Sequence, residues 1–200
     1  MRTLVMAVTA SLTLSAPAAL AQTASPPPTA ASAGSNTGSG RSPGPASLVG
    51  TWTSAPFELA LSSDFDKSVW GANATSVRTV ALQVGASGDA TLTVTRKVVD
   101  ARKRTVPVST SVEEAQIRIG QPQDALDVRV EYDVTVLKAE RRYPDEPDYR
   151  WTIDGLQVRV TGFEDRADIL EVRFDPPDGK GSFWETVRRT SRTPPKRTSG

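Results

Sequence analysis

The chain has 200 residues, with 24 Lys and Arg against 23 Asp and Glu, 14 Gly, 15 Pro, 6% aromatics and neither His nor Cys, the profile of one globular domain with unstructured additions. Without His or Cys it cannot build a Ser-His-Asp triad, a Cys-His pair, a zinc finger, an Fe–S cluster or a His-ligated haem. It also has no Gly-x-Ser-x-Gly, Ser-x-x-Lys, P-loop or Gly-x-Gly-x-x-Gly motif, so it reads as a non-enzyme without cofactor or metal.

Residues 1–21 begin Met1-Arg2, continue through an apolar stretch from Leu4 to Leu14, break at Pro17 and end on Ala19-Leu20-Ala21. A short positive region, a brief apolar region and small residues before a cleavage point form a secretory signal peptide. Cleavage is expected after Ala21, leaving a secreted or periplasmic protein with no transmembrane segment. Residues 22–46 contain Pro26-Pro27-Pro28, Ser, Thr, Ala and Gly but no aromatic, Leu, Ile or Val; nothing there offsets the entropy of ordering, so a disordered linker is expected. Residues 191–200, with Arg192, Lys196 and Arg197, read as a disordered basic tail.

The domain between them, 47–190, is acidic: residues 47–187 hold 17 Lys and Arg against 23 Asp and Glu, a net of −6. Such a body is a poor nucleic-acid binder, because phosphate recognition needs clustered positive charge on the folded surface. The cluster Arg96, Lys97, Arg102, Lys103, Arg104 reads as a solvated hairpin end. The carboxylates of 145–148 and 175–178 lack any metal-loop spacing and read as solvated turns.

From residue 76 onward the apolar pattern has period two. Leu126, Val128, Val130, Tyr132, Val134 and Val136 alternate with charged or polar residues, and similar runs occur around Val80, Leu92, Val158 and Val172. Candidate strands fall at 48–53, 76–84, 89–99, 104–111, 115–119, 126–142, 149–153, 156–163, 168–174 and 181–189. At Asp154-Gly155 the apolar parity switches, which predicts a tight hairpin. Short connections favour an antiparallel up-and-down meander, and closure removes its edges. The fold expected is all-β, an antiparallel up-and-down barrel of 8–10 strands with a short helical insert after the first strand; a sandwich is the alternative. The insert is 56–71, read as one helix or two short ones, where Phe57, Leu61, Phe65 and Val69 recur at four-residue spacing and Ser63-Asp64-Phe65-Asp66 suits a helix start. A strand at 56–61 is the competing reading, since Phe57, Leu59 and Leu61 also alternate.

Leu48-Val49-Gly50-Thr51-Trp52 opening the first strand, eight or more meandering strands and Arg188 or Arg189 in the last one resemble the lipocalin and calycin barrels. The resemblance implies that Gly50, Trp52 and Arg188 or Arg189 close one end structurally, with the guanidinium over the indole. It also implies that a small hydrophobic or amphipathic molecule binds inside the barrel. The helical segment after the first strand is similar to the lid of fatty-acid-binding proteins.

These readings give an exported, monomeric, small-molecule-binding barrel whose candidate interior and lid residues are Phe57, Leu61, Phe65, Trp70, Tyr132 and Trp151. The lid stripe of Phe57, Leu61, Phe65 and Val69 is expected to face inward over the mouth. An exported protease inhibitor, or another protein-interaction module of the cell envelope, is the alternative. A connected apolar cavity separates the first from the second.

Overall fold

Alternating apolar and polar residues produce ten strands and one helix in the computed structural model, which describes residues 44–123, 128–179 and 181–194. The expected signal peptide, residues 22–43 of the expected linker and residues 195–200 of the tail lie outside the described residues. The strands are β1 (Gly50–Ser54), β2 (Phe57–Ala60), β3 (Thr75–Val84), β4 (Asp89–Val99), β5 (Ser111–Pro122), β6 (Arg129–Tyr143), β7 (Glu146–Thr152), β8 (Gln157–Phe163), β9 (Ile169–Asp175) and β10 (Phe183–Ser191), and helix α1 is Asp64–Trp70.

All pairings are antiparallel, and β1 joins both β10 and β3, so the sheet closes into an eight-place barrel in the order β1, β10, β9, β8, β6, β5, β4, β3. Ten strands fit eight places because two places are shared. β1 and β2 follow one another along β3, with Thr53 opposite Ala81 and Phe57 opposite Arg78. β7 and β8 follow one another along β6, with Thr152 opposite Glu140 and Val160 opposite Tyr132. The turn at Asp154-Gly155 is therefore not the hairpin that its parity switch suggested. The chain keeps its direction there, and the turn only steps it along the same edge of β6.

The inward side chains meet in one core. Leu82, Leu92, Val94, Val130, Val160, Val172 and Val187 are 0% exposed, so no water-sized space touches them. Eight strands make an interior just wide enough for side chains to fill, and here Val, Leu and Ile fill its middle.

Trp52 seals one end. It is 0% exposed, its indole N–H donates to the Leu48 carbonyl at 2.8 Å, and the Arg189 guanidinium carbon lies 4.2 Å from its ring centroid. Arg189 also donates to the Ser47 carbonyl, tying β10 to the short 3₁₀ turn Pro45–Leu48. That turn begins ahead of the expected domain start at 47. Burial, with the Arg192 charge nearby, draws Arg189 below the ordinary guanidinium value, and burial pushes the neighbouring Tyr132 hydroxyl up. Gly50 is required at the same end: its φ is +131°, and a Cβ there would lie 2.0 Å from the Ser191 carbonyl oxygen.

Two expected elements differ. The strand expected at 104–111 is absent but for Ser111, which opens β5; Asp100 accepts from the backbone N–H groups of Arg102 and Arg104 at 2.8 and 2.9 Å, building a turn that leaves only a Val99–Thr105 bridge. Pro107 lacks a ladder donor and Val108 sits at φ 58°, so the ladder resumes only at Ser111. The insert 56–71 is not one helix: Phe57–Ala60 extends as β2, and Ser63 starts α1 by accepting from the Asp66 N–H at 2.9 Å. Four-residue spacing across a strand and a separately capped helix defines no common face.

Replacing Trp52 by Ala should cost about 3–5 kcal/mol, read by urea unfolding, because no neighbour can collapse into the space beneath Arg189. The Asp100 carboxyl is held below its ordinary 3.8 by the backbone N–H and side chain of Arg104. A depressed carboxylate stabilises above its unfolded value and loses that contribution as pH falls through the folded value. The turn should hence open in acid below pH 3.8, seen as loss of the Arg102 and Arg104 amide shifts, while Asp100→Asn should open it at neutral pH.

Candidate functional site

At the end away from Trp52, the inward parity of five strands changes from apolar to charged. On β3 the series Val84, Leu82, Val80 ends at Arg78; on β4 Ala90, Leu92, Val94 ends at Arg96; on β5 Ile119, Ile117, Ala115 ends at Glu113. On β6 a bulge at Leu137 resets the parity, and Ala139 is followed by Arg141; on β10 Val187 is followed by Glu185.

These groups lie across the mouth. Glu113 is the buried charged residue among those described, at 1% exposure. Its Oε2 accepts from the Arg96 Nε at 3.2 Å and its Oε1 accepts from Arg141. Arg96 continues across to donate to the Gly181 carbonyl at 2.8 Å, linking β4 to the turn before β10. Arg78 donates to Glu185 at 2.9 Å and lies between two rings, 4.9 Å from Phe57 and 4.2 Å from Phe183. Phe183 stacks on Phe174 at 5.3 Å and 11°. A buried carboxylate is tolerable only when paired, and two guanidiniums supply that here. Both Glu113 oxygens are engaged by arginine, so the carboxylate is tied into the ion cluster. The cluster is suited to holding the mouth shut.

Beside it, β6 and β7 project as a hairpin wing. All of β7 is exposed. Trp151 lies opposite Arg141, so its side chain shares the face that continues the barrel interior. Tyr143 meets Trp151 edge-on at 5.4 Å and 86°, and Tyr149 lies 5.9 Å from it. Trp151, Arg141 and Ile153 line a recess of about 230 Å³ against Pro176 and Pro177 of the β9–β10 turn.

The structure separates the residues that the sequence grouped as interior and lid. Tyr132 is in the core at the Trp52 end, 3% exposed. Trp151 is 50% exposed on the wing. Phe57 rests on Arg78 at the rim, and Leu61, just after β2, and Trp70, at the end of α1, are half-buried. Phe65 is 74% exposed, Val69 is 49% exposed, and α1 buries no residue; the expected inward stripe over the mouth is therefore absent. Gly50, Trp52 and Arg189 form the sealed end, whereas Arg188 points outward, 4.0 Å from Asp168. The basic cluster is also divided: Arg96 belongs to the mouth, while Lys103 pairs with Glu58 and Arg104 with Asp100. Glu113, Arg78, Arg141 and Glu185 escaped the sequence reading, although a charge on the apolar parity of β3 and β5 was a usable signal.

Among the described residues no group of three or more Asp or Glu is arranged to hold a metal ion, and no helix is long and apolar enough to cross a membrane. The chain matches no protein family, and no curated protein is similar to it in sequence.

Replacing Glu113 by Ala should cost about 3 kcal/mol, the lower end for breaking a buried pair because Arg96 and Arg141 can partly rehydrate. Glu113→Gln, which keeps an acceptor, should cost less in the same urea titration. Equal stability of wild type and Glu113→Ala would remove the ion cluster from the account.

Proposed function

We propose that this domain is an exported binding module that recognises a protein partner through the aromatic wing at its mouth. The observation that carries the reading is the contrast between inside and outside. The mid-barrel side chains leave no accessible surface, while Trp151 and Tyr149 hold 50% and 54% of theirs in solvent. Isolated exposed apolar residues are ordinary, but a packed trio of aromatics on a projecting hairpin is a typical contact surface. Tyr, Trp and Arg dominate the centres of protein interfaces because they bury large area with few rotors and keep a polar tip.

The wing binds through side chains. β7 has β6 as its only strand partner among those described, and Pro147 on it removes a donor from the outer edge, which disfavours strand addition. The calycin resemblance enters this reading as a fold and a sealed end, without its interior ligand. Export, inferred from the first 21 residues, places the wing where envelope or extracellular proteins can reach it.

A photo-crosslinking residue at Tyr149 in the exported protein should capture one discrete protein, and Trp151→Ala should abolish that capture while leaving the urea midpoint within about 0.5 kcal/mol of wild type. Saturable binding of a fatty acid or aromatic probe that is indifferent to Trp151→Ala would replace this reading with an interior ligand.

A further inference from the structure

A second recess lies on the outer wall, away from the wing, where β6, β8, β9 and β10 run side by side. It measures about 200 Å³ and is lined by Arg129, Arg159, Glu171, Arg173 and Trp184, with Glu131 and Thr161 completing its floor. Three features mark it as unfinished. Arg159 stands directly opposite Arg173 across the β8–β9 pair, and like charges in that position destabilise a sheet. Arg173 is held by Asp175, but Arg159 has no ion-pair or hydrogen-bond partner among the described residues. Next to Arg173 on β10, Trp184 is 55% exposed, with Arg129 5.9 Å from its ring. Finally, the Glu171 Oε2 is buried without a hydrogen-bond donor; Arg129 approaches it only to 3.9 Å.

We propose that this recess binds an acidic sugar. A carboxylate or phosphate on the ring takes the guanidiniums of Arg159 and Arg173, which removes their mutual repulsion through charge-assisted hydrogen bonds. The ring lies on the Trp184 indole, whose flat apolar face and position on an open sheet suit a shallow, disc-shaped ligand. A ring hydroxyl donates to the open part of the Glu171 carboxylate, whose side chain keeps 19% of its surface exposed. The mixed signs of the recess separate a sugar from an acidic peptide. A run of Asp or Glu would satisfy the arginines but brings no side-chain donor for Glu131 and Glu171, whereas each ring of an acidic sugar carries one anion together with several hydroxyl donors.

The test is isothermal titration of the full mature protein with tetragalacturonate, alongside neutral cellotetraose and a hexaglutamate peptide. Tetragalacturonate should bind at about 1 mM or tighter, more weakly as salt rises, and well ahead of both controls. Arg159→Gln should weaken it at least about tenfold, as expected for losing a charge-assisted bond. Trp184→Ala should abolish it, and Tyr149→Ala should leave it unchanged, which keeps this site distinct from the wing. All three substituted side chains are exposed, and an unchanged urea midpoint verifies the fold. Equal binding of cellotetraose, preference for hexaglutamate, or absence of tetragalacturonate binding would each overturn the proposal.

Discussion

A barrel of eight places has an interior of fixed width, and how this chain fills it governs everything else. Strand number, tilt and stagger together set the diameter, and at eight strands the choice lies between a packed core and one enclosed ligand. Here Leu82, Leu92, Val94, Val160 and Val172 meet in the middle at 0% exposure, at a density that leaves no room for a probe the size of water. With the interior filled, the recognition proposed for this domain falls to the rims and the outer wall.

The two ends are closed by different chemistry. At one, Trp52 fills the cross-section and Arg189 covers it, bound to Ser47 and stacked over the indole. At the other, Arg96, Glu113 and Arg141 bridge three neighbouring strands, and Arg78 and Glu185 span from β3 to β10 where β2 no longer has a partner on that side. A buried ion cluster is a weak source of net stability, since desolvation offsets most of its attraction. Its role is geometric. It holds the strand ends in register beside the wing, so that Tyr143, Tyr149 and Trp151 project from a fixed base.

The wall itself was largely legible in the sequence because period-two alternation survives single-sequence reading: β3, β4, β8 and β9 fall close to their expected ranges, and closure follows from short connections and the need to remove edges. The mouth was not. Leu137 is an extra residue in β6, 54% exposed, with Lys138 opposite Gln116 and Val136 opposite Ile117. One inserted residue flips every later side chain to the other face, which hid the inward placement of Arg141 and, through it, the orientation of Trp151. The 56–71 insert misled for another reason: apolar spacing records which residues recur but not where one backbone geometry stops, and the Ser63 cap divides that segment into strand and helix. The pairing of Trp52 with a late arginine came from the resemblance to calycin barrels, which left Arg188 and Arg189 undecided, and the guanidinium 4.2 Å from the indole is that of Arg189.

The central claim is that the barrel is filled and that recognition takes place on its surface. The most direct test is methyl NMR of Leu- and Val-labelled protein titrated with a long-chain fatty acid. The account predicts that the methyl signals of Val80, Leu92 and Val172 stay in place throughout. Saturable shifts at those core methyls would show an interior site and contradict it.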